Sequence, residues 1–234
     1  MSLVNSMLNV YNKLYNSYKE QGWWPIISKD NRVIYNKTFK NREKTQDEKL
    51  QICLGAILTQ NTAWKNVEKA LINLNKNKLI SIKRLDKVLD KKLALLIKPS
   101  GYYNQKVKTI KNFISFVKKY RNINELFLDK KIREKLLKVK GIGPETADSM
   151  ILYAGNRPVF VVDSYTKRIF TRLNKLKSQT YDELQGLLHK NLEKDSKLFN
   201  EYHALIVKHA KEHCKKIPSC ENCCLKDSCK SATL

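Results

Sequence analysis

The chain has 234 residues and carries 46 lysines and arginines against 22 aspartates and glutamates, a formal net charge of +24. Such a charge attracts polyanions, and it favours nucleic acid as the partner, with an anionic membrane surface second. Hydrophobic residues make up 42% of the chain, which is enough for a buried core and excludes global disorder. No run of about 20 apolar residues is present, so a membrane-spanning helix is excluded as well.

The first twenty residues are amphipathic and charged, without the apolar centre of a signal peptide. We therefore expect a folded N-terminal helix in a soluble protein of the cytoplasm. Gly22-Trp23-Trp24-Pro25 ends the helical pattern, and two adjacent tryptophans cannot both lie on one helix face. These rings either fill a gap between two lobes or form an aromatic wall on which a base can stack.

Helical periodicity recurs along most of the remaining chain. We predict helices over residues 47–58, 63–74, 79–97, 107–120, 165–176, 181–192 and 201–213, and a loop over residues 28–46. Strands are nearly absent, so the predicted fold class is all-α. A threonine or asparagine in the break after Leu58 can cap the next helix. Pro99 and Gly101 predict a turn in the following break.

A helical hairpin is predicted at the centre of the sequence, over residues 131–154. Asp129 is placed to cap its first helix. Gly141 and Gly143 bracket a tight turn, and Pro144 suits the first position of the second helix. Backbone N–H groups at such a helix start can bind an anion, and a phosphodiester fits that kind of site. The plain alternative is an ordinary hairpin closed by glycines.

A short apolar run follows the hairpin and ends in Asp163. This carboxylate can cap the helix that follows, and a helix N-terminus stabilises it as the anion. A fixed carboxylate can also act in catalysis, by stabilising a developing positive charge or by orienting or deprotonating a water. Asp163 is compatible with both roles.

Five of the six cysteines crowd into residues 214–229. In an intracellular chain such clustering favours a metal site over disulfides. Cys224 sits beside another cysteine, and because one of the two must point away, we take Cys224 as a bystander. Four thiolates at short spacing can hold either zinc or a [4Fe–4S] cluster, and the spacing does not decide between them. The four candidate ligands are Cys214, Cys220, Cys223 and Cys229.

Three separated motifs together resemble the endonuclease III superfamily of DNA glycosylases, which carry a helix-hairpin-helix and a Gly/Pro-Asp signature. They are the segment Leu58-Thr59-Gln60-Asn61-Thr62, the run from Val139 to Asp148 with Val161-Val162-Asp163, and the cysteine cluster. The resemblance implies a two-lobed fold, with a six-helix lobe of residues 46–155 and a second lobe of residues 1–45 and 156–234. It also implies a [4Fe–4S] cluster, although the first cysteine gap is one residue shorter than the family's.

The resemblance further implies a monomer that acts on double-stranded DNA with a damaged or mismatched base. The expected location is the cytoplasm of a prokaryotic cell, in association with the nucleoid. Asp163 matches the family's catalytic carboxylate, which stabilises the positive charge that develops on the deoxyribose when the N-glycosidic bond breaks. The stretch Trp23-Trp24-Pro25 resembles the lesion pocket of the branch that removes 3-methyladenine. A monovalent cation is implied at the hairpin. The DNA contacts that the resemblance assigns are Lys140, Gly141 and Gly143 on the hairpin, Gln60 and Asn61 at the first motif, and Gly101 and Lys106 in the Pro/Gly turn.

Glu145 departs from the family pattern. Bifunctional members carry a lysine at this place, which forms a Schiff base with the sugar and goes on to cut the strand. Because a glutamate cannot form an imine, we predict a monofunctional glycosylase without a true lyase step. The favoured substrate is an alkylated purine such as 3-methyladenine, since a cationic base leaves easily and is attracted to indole rings.

Two alternatives stay open at this point. The first keeps the fold and changes the substrate to mismatched uracil or thymine, or to an oxidised base. The second belongs to a different class, a non-catalytic DNA-binding protein whose affinity would fall steeply with salt while no base is released.

Overall fold

A computed structural model describes residues 3–35, 43–174 and 179–232, with side chains from residue 7 onward. Helices dominate these segments, and their only sheet is one antiparallel pair of two-residue strands. The predicted all-α class is therefore confirmed. The chain divides into two compact units, Trp24–Asn156 and a unit that combines Met1–Trp23 with Arg157–Leu234. None of the described helices is both long enough and apolar enough to span a bilayer.

The elements follow one another along both units. In chain order they are α1 (Leu3–Tyr18), β1 (Ile26–Ile27), β2 (Val33–Ile34), α2 (Gln46–Leu58), α3 (Trp64–Lys76), α4 (Ile82–Lys87), α5 (Asp90–Ile97), α6 (Tyr103–Val117), α7 (Ile123–Leu128), α8 (Ile132–Leu137), α9 (Pro144–Ser149), α10 (Ser164–Asn174), α11 (Tyr181–Asn191) and α12 (Ser196–Glu212). A π-helical turn, Met150–Ala154, continues α9, and 3₁₀ turns cover Lys98–Ser100 and Lys226–Ser228.

Helix α2 forms the centre of the unit Trp24–Asn156. It begins in a capping box, in which Thr45 accepts the N–H of Glu48 and the Glu48 side chain accepts the N–H of Thr45. Every residue from Lys49 to Leu58 is buried, as in a helix surrounded by other elements. It packs against α3, α6, α7 and α9 and against the turn that continues α9. The hairpin is therefore fixed on a rigid core.

The boundary between the units differs from the predicted one at its N-terminal side. Residues 24–45 were expected with the chain termini, but the described part of this segment joins the central unit. Strand β1 packs on α2 and α3. The buried side chain of Gln51 accepts the N–H of Ile27 at 2.8 Å and donates to its carbonyl at 3.1 Å. This pairing replaces a neighbouring strand and ties the segment after Trp24 to α2.

Several boundary predictions were wrong. The helix predicted over residues 79–97 is interrupted at Val88 and Leu89, which have extended backbone between α4 and α5. Helix α7 was not predicted. The start of α3 has Ala63 as its cap residue and no side-chain cap. Asp129 accepts the N–H of Lys131 and so caps a turn before α8 rather than α8 itself. Residues 36–42 of the predicted loop lie outside the described residues.

In the unit that combines the two chain ends, α12 packs against α1 and α10. Its core is aromatic, with Phe160 meeting Phe199 and Tyr202 edge-on at centroid distances of 5.2 and 5.6 Å. The hydroxyl of Tyr202 donates to the carbonyl of Met7 at 2.9 Å. Phe160 lies three residues before Asp163, so this core fixes the segment that leads into α10.

Candidate functional site

The hairpin of the central unit consists of α8, a turn through Gly141 and Gly143, and α9 with its π-helical continuation. Gly141 has a φ of +98°, and a Cβ there would lie 2.2 Å from Oγ1 of Thr109, so glycine is required twice over. Gly143 has an ordinary φ of −95°, and a Cβ there would meet no atom within 4 Å. The fold therefore does not require glycine at 143, where the start of α9 faces open space.

A buried ion pair joins the two helices of the hairpin. Arg133 on α8 donates to both oxygens of Asp148 on α9, at 2.8 and 3.1 Å. The carboxylate of Asp148 is fully buried, whereas a third of the Arg133 side chain is exposed. This bidentate ion pair fixes the angle between the helices, because its two parallel hydrogen bonds require the guanidinium and the carboxylate to lie in one plane. Asp148 stands within the recognised motif, but its structural role was missed from the sequence.

Gln60 braces the same hairpin. Its Nε2 donates to the carbonyl of Gly141 at 3.1 Å and to the hydroxyl of Thr146 at 3.0 Å. The amide group is therefore bound to the hairpin turn in this structure. Its neighbour Asn61 is exposed and has a left-handed backbone with φ of +53°.

An open groove beside the hairpin collects five of the seven residues predicted to contact DNA. They are Gln60, Asn61, Lys106, Lys140 and Gly141. The other two, Gly101 and Gly143, do not line it. The groove is also lined by Tyr102, Lys108, Thr109 and Asn112, which the sequence analysis did not single out. Residues from three distant segments thus form one cationic surface.

Lys106 lines this groove, but its amine binds carbonyls of the protein and is not placed for the predicted phosphate contact. Only 2% of the residue is exposed, and its Nζ donates to the carbonyls of Leu58 at 2.8 Å and Ser100 at 2.7 Å. Burial lowers the pKa of Lys106 to about 8. The side chain therefore binds the last carbonyl of α2 and the 3₁₀ turn together. Lys108 and Lys140 supply the exposed charge.

Tyr102 is an aromatic side chain that this groove presents to solvent. It is 65% exposed and has a left-handed backbone with φ of +46°, which is uncommon for a tyrosine. It follows Gly101, whose φ is +68°. Such strain in an exposed residue favours a role in binding, since packing does not explain it.

The predicted base-pocket residues lie in different environments. Trp24 is only 4% exposed and meets Trp64 and Tyr153 at centroid distances of 5.2 and 5.1 Å. It therefore belongs to the core of the central unit, and Pro25 is buried as well. Trp23 is half-buried and belongs to the other unit. Trp24 therefore has a packing role inside one unit, which is neither of the two roles that the sequence left open.

Asp163 lies at the start of α10, in the unit of the chain ends. Its Oδ1 accepts both the N–H of Thr166 at 2.7 Å and the Thr166 hydroxyl at 2.8 Å. Its Oδ2 lies 3.6 Å from Nε2 of His203 on α12. The bond to the third residue of the helix is the geometry of an N-cap, so the predicted capping role is present.

The environment of Asp163 favours its ionised form. Asp163 is 8% exposed and His203 is 7% exposed. Burial raises the pKa of Asp163, but the charge of the nearby His203 and the hydrogen bonds from Thr166 lower it more in sum. The net shift of the pKa is downward. The result is a carboxylate that stays charged although it is nearly buried.

The four predicted cysteine ligands line one cavity, and Cys224 is not among its lining residues. All are free thiols. Arg172 on α10 donates to Sγ of Cys214 at 3.3 Å and to the carbonyls of Lys215 and Lys216 at 2.6 and 2.7 Å. Arg168 donates to the carbonyl of Cys214 at 2.7 Å. Two arginines thus hold the shortened first loop.

Among the described residues, no three histidine, cysteine, aspartate or glutamate side chains lie close enough together to hold a metal ion as placed. The donor chemistry nevertheless fits a thiolate-bound metal group. Four cysteines line one cavity, and the N–H of Arg172 suits a sulfur that carries negative charge. Cys214, Cys220, Cys223 and Cys229 are the residues that would hold such a group.

Comparison with known proteins identifies the family. The sequence profile of the HhH-GPD superfamily of base excision DNA repair proteins matches residues 54–194. The chain is 41% identical over 228 residues to a protein of Methanocaldococcus jannaschii assigned as a DNA repair glycosylase, covering 95% of this chain and 94% of that one. It is 32% identical to endonuclease III of Thermotoga maritima, covering 85% and 89%. The chain therefore belongs to the HhH-GPD superfamily.

Solved structures agree with this assignment. The 3-methyladenine DNA glycosylase of H. pylori, bound to 1,N6-ethenoadenine, superposes with a TM-score of 0.71 at 28% identity, covering 89% of this chain and 97% of that one. An endonuclease III trapped in a covalent complex with DNA superposes with a TM-score of 0.76 at 19% identity, covering 99% and 98%. The second likeness establishes the fold alone. Together they confirm a DNA glycosylase fold of the endonuclease III kind.

The two hairpin glycines provide a test of the turn. We expect Gly141→Ala to lower the free energy of unfolding by about 2 kcal/mol or more, because the new Cβ overlaps Thr109 and the positive φ is strained. Gly143→Ala meets open space and is expected to cost at most about 1 kcal/mol. Urea unfolding followed by circular dichroism measures both. Equal losses of stability in the two variants would contradict this description of the turn.

Proposed function

We propose that this protein is a monofunctional DNA glycosylase, which hydrolyses the N-glycosidic bond of a flipped, damaged base with Asp163 as the catalytic carboxylate. The observation that carries the proposal is the ionised, nearly buried carboxylate of Asp163, fixed at the start of α10 by Thr166 and close to His203. A non-catalytic DNA-binding protein would need Asp163 only as the cap of α10, which its Oδ1 alone provides.

The chemistry follows from that geometry. Loss of the base builds positive charge on the deoxyribose, which a fixed anion stabilises more strongly in a water-poor site than in bulk water. Because Thr166 holds Oδ1, we assign Oδ2 to the sugar and the attacking water. His203 helps to keep the carboxylate ionised, so that Asp163 can accept the proton of that water.

We assign binding of the DNA backbone to the hairpin and the groove beside it. A Cβ at Gly143 would meet open space, so a phosphate could approach the start of α9, where backbone N–H groups suit an anion, and a monovalent cation at the turn would assist. Lys108 and Lys140 add exposed charge. Gln60 and Tyr102 are the side chains we assign to the base stack, with Gln60 first releasing its two bonds to the hairpin.

The best-supported substrate is an alkylated purine such as 3-methyladenine. Two observations support this choice: the 28% identity to a 3-methyladenine DNA glycosylase over 89% of this chain, and the tryptophan pair. We assign the base contact to Trp23, which is half-buried, and structural support to Trp24 and Pro25. Cation–π attraction would favour a positively charged base at Trp23.

A second substrate class is favoured by one observation, the 32% identity to an endonuclease III over 85% of this chain. Mismatched uracil or thymine, or an oxidised base, would then be released by the same carboxylate. We further propose that the protein acts as a monomer on double-stranded DNA in the cytoplasm.

The absence of a lyase step is proposed from Glu145. This side chain is exposed on the first turn of α9, at the place of the family's Schiff-base lysine. A carboxylate cannot form an imine with the abasic sugar. The product would therefore be an intact strand with an abasic site.

We also propose that Cys214, Cys220, Cys223 and Cys229 hold a [4Fe–4S] cluster. Such a cluster would supply structure, by closing the terminal loops into a rigid cationic surface. Arg168 and Arg172 orient the first ligand. The lysines around the cysteines, Lys215, Lys216, Lys226 and Lys230, would then face DNA phosphates.

Base release tests the proposed activity. With methylated, deaminated and oxidised duplexes in single-turnover assays, we expect the fastest release from alkylated purines. Asp163→Asn should slow release by at least about a hundredfold, because a neutral amide stabilises the sugar cation poorly. Asp195→Asn, which alters the cap of α12 instead, is the matched control and should keep the wild-type rate. Full-speed release by Asp163→Asn would refute the proposal.

Borohydride trapping tests the role of position 145. Wild-type protein should give no efficient covalent adduct with lesion DNA, whereas Glu145→Lys should give one and should cleave the strand, because it restores an amine at the start of α9. Glu134→Lys, on the exposed side of α8, adds the same charge and should not. Efficient trapping by the wild type would show that a different amine performs a lyase step.

Metal analysis tests the cysteine ligands. Cys214→Ala should lose most of its iron and acid-labile sulfide, since it removes one of four ligands, while Cys224→Ala should keep both. Iron per chain, sulfide per chain and the brown colour are the measurements. A colourless wild-type protein with one zinc ion per chain would contradict the cluster.

A further inference from the structure

A second depression adjoins the groove described above. We call it the flank depression. Four lysines line it, Lys119 at the end of α6, Lys135 and Lys138 on and after α8, and Lys140 in the turn. None of its described lining residues carries a carboxylate. It shares Lys140 and Asn112 with the first groove, so the two surfaces are continuous.

One of the four lysines is already neutralised. The Nζ of Lys135 lies 2.5 Å from Oδ2 of Asp129 and 5.7 Å from the centre of the Tyr120 ring, and the Tyr120 hydroxyl donates to the same Oδ2 at 2.7 Å. Lys135 and Tyr120 together hold the pKa of Asp129 at about 2, so its charge is satisfied locally. In the described chain, Lys119, Lys138 and Lys140 form no ion pair. The flank depression therefore keeps three uncompensated positive charges.

The same face of α6 connects the two surfaces. Lys108, Asn112 and Ser115 are separated by four and three positions and so share one side of the helix, and Lys119 follows in the turn after it. From Lys108 to Ser115 this side extends about 10 Å, the axial length of about three nucleotides in one strand, and Lys119 lies beyond it. Helix α6 contains no acidic residue. Asn112 also donates to the carbonyl of Lys140 at 3.1 Å, which fixes the helix to the turn.

The floor of the flank depression is aromatic. Phe116 and Tyr120 lie edge to face at a centroid distance of 5.6 Å, and both are partly exposed. An apolar floor with a cationic rim and neutral hydrogen-bonding groups matches a sugar–phosphate chain, whose deoxyribose is apolar and whose phosphates are anionic. An acidic peptide would match the lysines but has no need of continuity with the hairpin groove.

We infer that the flank depression binds the sugar–phosphate backbone of the DNA several nucleotides away from the phosphates held at the hairpin, and so extends the binding site along one strand. This inference rests on the proposed function, because it assumes that the hairpin groove binds the same strand. It assigns a DNA-binding role to Lys119 and Lys138, which lie outside the residues matched to the family's motifs.

The test compares three proteins on two duplexes. They are the wild type, Lys119→Gln/Lys138→Gln, and the control Lys91→Gln/Lys92→Gln, which removes the same charge from exposed lysines at the start of α5. The duplexes are 25 and 11 base pairs long, and each carries a central abasic-site analogue that cannot be cleaved. Binding is measured by fluorescence anisotropy over a series of salt concentrations.

On the long duplex, Lys119→Gln/Lys138→Gln should bind about tenfold more weakly. The negative slope of log K against log [salt] should become less steep by about 2, because two phosphate contacts are lost. On the short duplex, which lacks the flank, the loss should be less than about twofold. The control should resemble the wild type on both. Equal behaviour of the two variants would overturn the inference, and equal losses on both duplexes would place the lysines at the lesion instead. Failure of the wild type to bind either duplex would count against the proposed function itself.

Discussion

The proposed chemistry depends on one electrostatic constraint, a carboxylate that stays charged while it is nearly buried. Burial alone would favour the neutral acid, and the carboxylate of Asp163 would then lose its value near a developing cation. Two hydrogen bonds from Thr166 and the nearby imidazole of His203 reverse that preference. The aromatic core around Phe160 fixes the segment that leads into α10. Packing therefore positions the carboxylate of Asp163 at the start of this helix.

The hairpin of the central unit is likewise held by a few specific contacts. Gly141 is required because the turn passes against Thr109, whereas Gly143 has space in front of it. The buried pair of Arg133 with Asp148 fixes the two helices, and Gln60 binds the turn from α2's end. The residues that hold the hairpin together therefore differ from Gly143, which we assign to a phosphate, although they stand within a few positions of it.

Much of this could be predicted from the sequence, because helical periodicity and glycine spacing are local signals. The all-α class, the hairpin and the capping role of Asp163 belong to that group. The direction in which a long side chain points depends on contacts with distant segments, which local sequence signals do not contain. Lys106 was expected at a phosphate, but its amine lies inside and binds the carbonyl that ends α2. Trp24 likewise packs on Trp64, a contact that depends on how α2 and α3 bring distant segments together. Short breaks, as at Val88, are weak signals beside strong flanking periodicity.

The ionisation of Asp163 is the most direct test of the central claim. The side-chain carboxyl ¹³C resonance of Asp163, assigned by its loss in Asp163→Asn, can be followed as the pH is lowered on the folded protein. Because the pKa of Asp163 is shifted downward, the predicted titration midpoint lies below that of an unperturbed aspartate, which is about 3.9. A midpoint above that of an unperturbed aspartate would contradict the prediction, since burial would then favour the neutral form.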